Sequence, residues 1–148
     1  MLEFISGNET EVMSDPVNTP KAAFVIVESP KGYMLLYNTY RHLWELAGGF
    51  IDQGELPQEC AIRECKEESN QNISNLKFVG LAKYTDMNAS IYYAFLHDEE
   101  PFTKNDEISE LRWWKPNEDI DKLDSLSIEL IKLHNPILKE EENATRCN

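Results

Sequence analysis

Three glutamates, Glu64, Glu67 and Glu68, stand close together in a segment free of glycine and proline. If this segment is helical, at about 100° per residue, the three side chains fall on one face roughly 100° wide. Carboxylates on adjacent turns repel one another unless a cation lies among them. Carboxylate oxygens are ligands that Mg²⁺ prefers, and the ion usually completes its shell with water and phosphate. The spacing therefore predicts a divalent cation site on this helix face.

The alternative is a solvated acidic face, because the chain carries 27 Asp and Glu against 14 Lys and Arg, a formal net charge of −13. Two observations favour the metal site. The glutamates cluster on one face although the basic residues Arg63 and Lys66 lie among them in sequence. The helix also follows Gly48-Gly49 and Gly54, and glycines let the backbone approach a phosphate or expose a carbonyl to a metal.

The elements that must position these residues follow from apolar periodicity and turn signals. A helix is predicted over residues 58–69, with Pro57 as its first residue and Asn70 ending it, and Ile62, Cys65 and Ser69 on a face that can pack on a sheet. A second, amphipathic helix is predicted over residues 125–133. Strands are predicted over residues 22–28, 33–37, 43–46, 76–84, 90–96 and 110–114, after a short N-terminal strand or arm. This order predicts an α/β (α+β) fold in which a sheet packs between helices.

The 148 residues fit a single domain, 1–148, with a core at about 20–134 and a flexible acidic tail after residue 136. The acidic balance disfavours duplex nucleic acid as a partner, because phosphate backbones would be repelled. No apolar run reaches the length of a membrane span, and no secretory signal is evident at the N-terminus. Three cysteines without such a signal indicate a reducing compartment, so a cytoplasmic location is expected.

The acidic segment resembles a known family signature. The spacing Gly-x5-Glu-x7-Arg-Glu-x-x-Glu-Glu is that of the Nudix box of the MutT-like Nudix hydrolases. Its six positions are occupied here by Gly49, Glu55, Arg63, Glu64, Glu67 and Glu68. The box normally closes with a glycine and an aliphatic residue, where this chain has Asn70 and Gln71. Asparagine tolerates the left-handed conformation of a helix cap, so the local geometry is expected to survive.

The resemblance implies a Nudix-type α/β/α sandwich with a mixed sheet. It also implies Mg²⁺ (or Mn²⁺) as cofactor, bound by the carboxylates of Glu64, Glu67 and Glu68 and by the backbone carbonyl of Gly48. Arg63 would be held by Glu55 and would orient these carboxylates. Water would attack a phosphorus atom of a pyrophosphate bridge, and a carboxylate would take its proton.

Which carboxylate acts as the base stays open in the sequence. It can be a glutamate of the box or one from a later loop, where Glu107 and Glu110 are the candidates. For substrate binding, Arg41 could contact a phosphate, with a surface ion pair as the alternative. Gly49 is the second candidate, because its backbone could approach a phosphate.

The leading functional hypothesis is therefore hydrolysis of a nucleoside triphosphate, either normal or oxidised. The alternatives are a pyrophosphatase for ADP-ribose or a nucleotide sugar, and a catalytically silent nucleotide-binding module. Relatives that prefer ADP-ribose often carry a proline about fifteen residues past the box, and residues 83–87 have none. The expected partner is a small nucleotide, and the resemblance also allows a homodimer.

Overall fold

The computed structural model describes residues 2–84 and 86–135, so the predicted acidic tail after residue 136 lies outside the described residues. The strands are β1 (Glu3–Ile5), β2 (Ala22–Ser29), β3 (Gly32–Asn38), β4 (Leu43–Glu45), β5 (Ala47–Phe50), β6 (Lys77–Lys83), β7 (Asn88–Phe95) and β8 (Ile108–Trp114). The α-helices are α1 (Glu9–Met13), α2 (Pro57–Ser69) and α3 (Ser125–His134). Within these described ranges, no helix has both the length and the apolar character needed to cross a membrane.

Strand β2 lies at the centre of a mixed sheet. It pairs in parallel with β7, whereas the other strand pairs are antiparallel. The main path runs β1-β6-β7-β2-β3-β4, with β5 also paired to β2 and β8 to β3. The first residues of β2 pair with β5, and only its last two pair with β3. The sheet therefore changes its neighbouring strand along β2, and β5 enters at the end nearest α2.

Alternating residues of β2 explain why both faces of the sheet are covered. Val25 and Val27 belong to a core cluster that includes Cys60 and Cys65 of α2. Ile26 belongs to a second cluster, which includes residues of α3. Successive side chains of a strand point to opposite faces, so a fully apolar strand requires a cover on each side. The α/β/α sandwich with a mixed sheet is confirmed.

Helix α2 follows the predicted signals closely. It begins at Pro57, and the Glu59 side chain accepts a hydrogen bond from the Leu56 N–H at 2.9 Å. Asn70 ends it in the left-handed conformation, with φ 63°. Cys65 and Ser69 are fully buried as predicted, but Ile62 is 37% exposed, so its predicted packing on the sheet is wrong. Ile62 lies at the margin of a buried stripe that is centred on Ala61 and Cys65, and the sheet does not extend over it.

One strand, β5, and one α-helix, α1, were not predicted. The segment around Gly48-Gly49 forms β5, because β2 offers backbone groups there that need partners, although glycine carries no strand signal. The N-terminal arm contains α1, a single turn capped by Asn8, whose side chain accepts a hydrogen bond from the Glu11 N–H at 3.3 Å. The first addition comes from tertiary context, whereas the cap of α1 is a local interaction.

Replacing Ile131 by alanine should lower the free energy of unfolding by about 2–5 kcal/mol, because its side chain is fully buried between α3 and the sheet. Ile62→Ala is the matched control on the other helix and should cost less than about 1 kcal/mol. Urea unfolding followed by circular dichroism measures both changes. Equal losses in the free energy of unfolding would contradict the exposed position of Ile62.

Candidate active site

A cavity of about 500 Å³ opens beside β5, between the start of β2, the inner face of α2 and the N-terminal part of α3. Its wall includes six acidic side chains, those of Glu45, Asp52, Glu64, Glu68, Glu107 and Asp124. It also includes the apolar side chains of Phe24, Leu46, Met87, Ile108, Leu126 and Leu130. Among the described residues that line the cavity, Arg41 supplies the single basic side chain. Such a cavity suits a small polar molecule with an apolar portion.

Glu68 is the most deeply placed carboxylate of the cavity. Its residue is only 6% exposed, and its Oε1 accepts a hydrogen bond from the Gly48 N–H at 2.9 Å. The pKa of this carboxyl is raised to about 8, mainly by burial and to a smaller extent by the neighbouring Glu107, Glu64 and Glu45. The backbone bond to Gly48 acts in the opposite direction but is the weaker effect. A buried carboxylate of this kind requires a nearby cation if it is to be ionised at neutral pH.

Glu64 lies one turn before Glu68 and packs directly on the backbone of Gly49. A β-carbon at Gly49 would stand 2.6 Å from the carboxyl carbon of Glu64, so a side chain at this position would displace the Glu64 carboxylate. Burial raises the pKa of Glu64, while a hydrogen bond from Arg63 lowers it. The structure therefore gives Gly49 a definite task, to leave room for the Glu64 carboxylate, and its contact with substrate stays a prediction.

Arg63 ties the loop before α2 to the helix itself. Its Nε and Nη2 donate to the two oxygens of Glu55 at 2.7 and 3.0 Å, and its Nη1 donates to Glu64 at 2.9 Å. A further bond reaches the Phe50 carbonyl at 3.2 Å. The Arg63 bonds, together with the Asp52 N–H, hold the pKa of Glu55 at about 2. The planar guanidinium thus holds the Glu64 carboxylate in place, although Arg63 itself is not among the described residues of the cavity wall.

Glu67 is much more exposed to solvent than Glu64 and Glu68. Its side chain is 59% exposed, and its Oε2 accepts from Arg63 Nη1 at 3.2 Å. Neither Glu67, Glu55 nor Arg63 is among the described residues that line the cavity. The three box glutamates therefore divide into an inner pair, Glu64 and Glu68, and an outer member, Glu67.

Glu107 reaches the same cavity from the loop before β8, about forty residues away in sequence. The buried Asn38 donates from Nδ2 to Glu107 Oε1 at 3.4 Å. The same asparagine accepts the N–H groups of Tyr40 and Arg41 at 2.9 and 3.0 Å. Asn38 therefore connects the turn that carries Arg41 with the loop that carries Glu107. Glu110 is exposed on β8 and is not among the described residues of the cavity wall.

Arg41 also lies at the cavity, at the end where Glu45 stands. Its Nε donates to both oxygens of Glu45 at 3.0 and 2.9 Å. Burial raises the pKa of Glu45, and the hydrogen bond from Arg41 opposes this rise. Arg41 thus forms an ion pair and lies in the cavity wall, and its contact with a substrate phosphate stays a prediction.

The inner carboxylates fit a divalent cation. Glu64 and Glu68 stand one helical turn apart on a wall with six acidic side chains and one arginine, and burial raises the pKa of both. Within residues 2–84 and 86–135, no group of three or more His, Cys, Asp or Glu side chains is arranged so that it could hold a metal ion. An open pair is nevertheless what Mg²⁺ commonly uses, since water and substrate phosphate supply its other ligands.

Sequence reasoning missed Glu45, Asp52, Asp124 and the asparagines Asn38 and Asn105. Asp124 has a local signal, because it precedes an amphipathic helix and caps it through the Ser127 N–H at 3.0 Å. That signal predicts a cap, not a position in the cavity wall. The other residues follow no spacing rule and become neighbours of the glutamates only through the fold.

Glu68→Gln should stabilise the protein when metal is removed with a chelator. The glutamine oxygen can still accept from Gly48, but no charge is buried. Because the pKa of Glu68 in the folded protein is raised to about 8, its favourable contribution to stability is present below about pH 4.5 and is lost as the pH rises towards 8. We therefore expect the Tm difference between variant and wild type to grow from pH 5 to pH 8, to about 3 °C or more. A difference that is constant with pH would contradict the buried position of this carboxyl.

Gly49→Ala should displace the Glu64 carboxylate, because the new β-carbon overlaps its carboxyl carbon. The expected result is a smaller rise of Tm on addition of Mg²⁺ or Mn²⁺ than in the wild type, since one inner carboxylate has moved. Differential scanning fluorimetry with and without the metal measures this rise. An unchanged rise would mean that Glu64 does not take part in binding the cation.

Comparison with known proteins identifies the family of this chain. Residues 18–133 match the model of the NUDIX domain. A Bacillus subtilis protein named "Putative 8-oxo-dGTP diphosphatase" is 29% identical over 100 residues, which cover 65% of this chain and 66% of the relative. A Streptomyces rubellomurinus CMP-5'-(N-acetyl-N-hydroxy-3-aminopropyl)phosphonate hydrolase is 29% identical over 121 residues, covering 74% and 57%. The chain thus spans less than two thirds of the length of either relative.

Solved structures show the same fold. The Caenorhabditis elegans Ap4A hydrolase in a binary complex superimposes with a TM-score of 0.66 at 23% identity, covering 81% of this chain and 99% of that one. The match to the domain model takes in β2 to β8, α2 and nearly all of α3, together with every residue described at the site. The chain is a member of the Nudix family.

Proposed function

We propose that this protein hydrolyses a pyrophosphate linkage in a nucleotide, with Mg²⁺ or Mn²⁺ as cofactor. The observation that carries the proposal is the convergence of Glu64, Glu68 and Glu107 on one cavity, where Glu64 is held by Arg63, which is itself held by Glu55. The names of the two relatives, a diphosphatase and a nucleotide phosphonate hydrolase, support the same reaction class. Loss of any of these carboxylates is expected to remove activity without removing the fold.

Glu64 and Glu68 would hold the cation, with the carbonyl of Gly48 beside them and Glu67 contributing from the outer side. When bound, the cation neutralises the phosphate oxygens and makes the attacking water more acidic. Arg63 keeps Glu64 in place through a bond at 2.9 Å. The Gly48 N–H does the same for Glu68, which limits the rotation of the buried carboxylate.

Glu107 is the residue that we propose as the base. One oxygen of Glu68 is occupied by a backbone N–H and one of Glu64 by an arginine, whereas Glu107 accepts only a long 3.4 Å bond from Asn38 among the described contacts. It is thus the freest of the three to take a proton from water. The water oxygen forms a bond to phosphorus, the bridging P–O bond breaks, and the leaving phosphate takes the electron pair.

The residues of the cavity wall are the basis for proposing a nucleoside triphosphate, either normal or oxidised, as substrate. Arg41 uses Nε for Glu45 in the contacts described, which leaves its Nη groups for a phosphate. The apolar wall with Phe24, Met87 and Leu126 is suited to a base, and Asp124 and Ser127 provide polar atoms at its edge. The alternatives are ADP-ribose or a nucleotide sugar as substrate, and nucleotide binding without catalysis.

A substrate panel separates these alternatives. The protein is incubated with dGTP, 8-oxo-dGTP, ADP-ribose and a nucleotide sugar, each with Mg²⁺, with Mn²⁺ and with excess chelator. We expect release of pyrophosphate from a triphosphate, dependent on metal, and incorporation of ¹⁸O from labelled water into one product phosphate. Faster cleavage of ADP-ribose or the nucleotide sugar would favour the first alternative. Binding without turnover on the whole panel would favour the silent module.

Glu107→Gln should lower kcat by roughly 100-fold or more while the Mg²⁺-induced rise of Tm is retained, because the base is lost but the inner pair is intact. Glu110→Gln is the matched control, since it makes the same change three residues later on an exposed position of β8. Steady-state kinetics on the preferred substrate compares the two. Full activity of Glu107→Gln, or an equal loss in both variants, would exclude Glu107 as the base.

A further inference from the structure

The chain departs from the Nudix box at Asn70 and Gln71, and both side chains bind the loop between β7 and β8. Gln71 is fully buried. Its Nε2 donates to the Glu100 carbonyl at 2.7 Å, and its Oε1 accepts the Glu100 N–H at 2.8 Å. One side chain thus satisfies both backbone groups of a single loop residue, as a neighbouring strand would. An aliphatic residue at this position could form neither bond.

Asn70 forms a second hydrogen bond to this loop, next to those of Gln71. Its Nδ2 donates to the Pro101 carbonyl at 2.8 Å, while its Oδ1 accepts from Lys66 at 2.9 Å. The residue therefore does more than end α2 in the left-handed conformation. A glycine would end the helix equally well but would leave the loop without this bond.

Asn105 binds the far end of the same loop to the same helix. Its Nδ2 donates to the backbone carbonyl of Glu68 at 3.1 Å. Its Oδ1 accepts the N–H groups of Glu107 and Ile108 at 3.1 and 2.9 Å. A single amide therefore connects the backbone that carries Glu68 with the backbone that carries Glu107.

We propose that Asn70, Gln71 and Asn105 form a polar clamp that positions Glu107 relative to the inner glutamates of α2. The inference rests on the proposed function, because Glu107 is taken there as the base. Helix α2 and Glu107 lie far apart in sequence, and residues 97–107 form no helix or strand of their own. These side-chain bonds tie the loop directly to α2, whereas its other contacts, the packing of Phe102 on the core and the bonds of Thr39 to the Asp106 and Glu107 carbonyls, tie it to the sheet. The residues are positioning residues, since none is among the described residues that line the cavity.

The test uses Gln71→Met, which keeps the length of the side chain and removes its amide, and Asn105→Ala. Each variant should lower kcat by about 10-fold or more with little change in KM, because a displacement of about 1 Å at the reacting groups has effects of this size. In the Glu107→Gln background the same changes should alter kcat by less than about twofold, since a residue that acts through Glu107 has nothing left to position.

Asn18→Ala is the matched control. Its amide also donates to a backbone carbonyl, that of Val12 at 2.9 Å, but in the N-terminal segment. This variant should lower Tm and leave kcat unchanged. A loss of kcat in Asn18→Ala equal to that in the clamp variants would mean that general destabilisation is the cause. Unchanged kcat in both clamp variants, or equal losses with and without Glu107, would also overturn the proposal.

A measurement independent of turnover separates this inference from the proposed function. Amide hydrogen exchange followed by NMR reports the N–H groups of Glu107 and Ile108, which are bonded to Asn105. Gln71→Met should accelerate their exchange although it lies more than thirty residues away in sequence, because the clamp acts as a unit. Exchange that accelerates only at Glu100 would overturn the clamp even in an active enzyme. A protein without turnover but with the coupled exchange would overturn the hydrolase function alone.

Discussion

The site depends on the bidentate ion pair between Arg63 and Glu55. The two residues are eight positions apart, so the pair closes the loop before α2 onto the first turns of the helix. The remaining Nη1 of the guanidinium then fixes Glu64 and Glu67, and Nη2 reaches the Phe50 carbonyl at the end of β5. Arginine suits this position because its planar fork can serve several acceptors in fixed directions, which a lysine cannot do. Loop, strand and helix are thereby brought into one rigid frame around the cavity.

This arrangement places several carboxylates in a buried region, where an unpaired negative charge is unfavourable. Glu68 is nearly inaccessible to solvent, Glu64 is mostly buried, and Glu45 and Glu107 stand on the same cavity wall. Burial raises the pKa of Glu68, Glu64 and Glu45, so the site without a cation is destabilised at neutral pH. Large core clusters on both faces of the sheet provide the stability that tolerates this arrangement. In acidic sites of this type, a bound cation supplies the positive charge that balances the buried carboxylates, and the fold does not.

Several residues of the cavity wall come from segments that lie far from residues 49–68 in sequence. Arg41 and Glu45 come from the β3–β4 region, Glu107 from the loop before β8, and Asp124 from the start of α3. Asparagine amides make the connections, because one such group can donate to one segment and accept from another. Asn38 links Arg41 with Glu107, and Asn105 links Glu107 with Glu68. Hydrogen bonds restrict both the distance and the direction between the groups they join, whereas apolar contacts are non-directional.

The sequence by itself determined the helix α2, its caps and the strands of the core, because periodicity, proline and asparagine signals are local. It also determined the spacing of Glu55, Arg63, Glu64, Glu67 and Glu68, since a helix converts spacing into direction. Tertiary structure alone decided that Glu64 and Glu68 point inward while Glu67 stays exposed, because the sheet covers only part of the helix. It also decided that β5 exists and that Glu45, Glu107 and Asp124 share one cavity. Those relations come from strand pairing and loop closure over long separations, and no local rule encodes them.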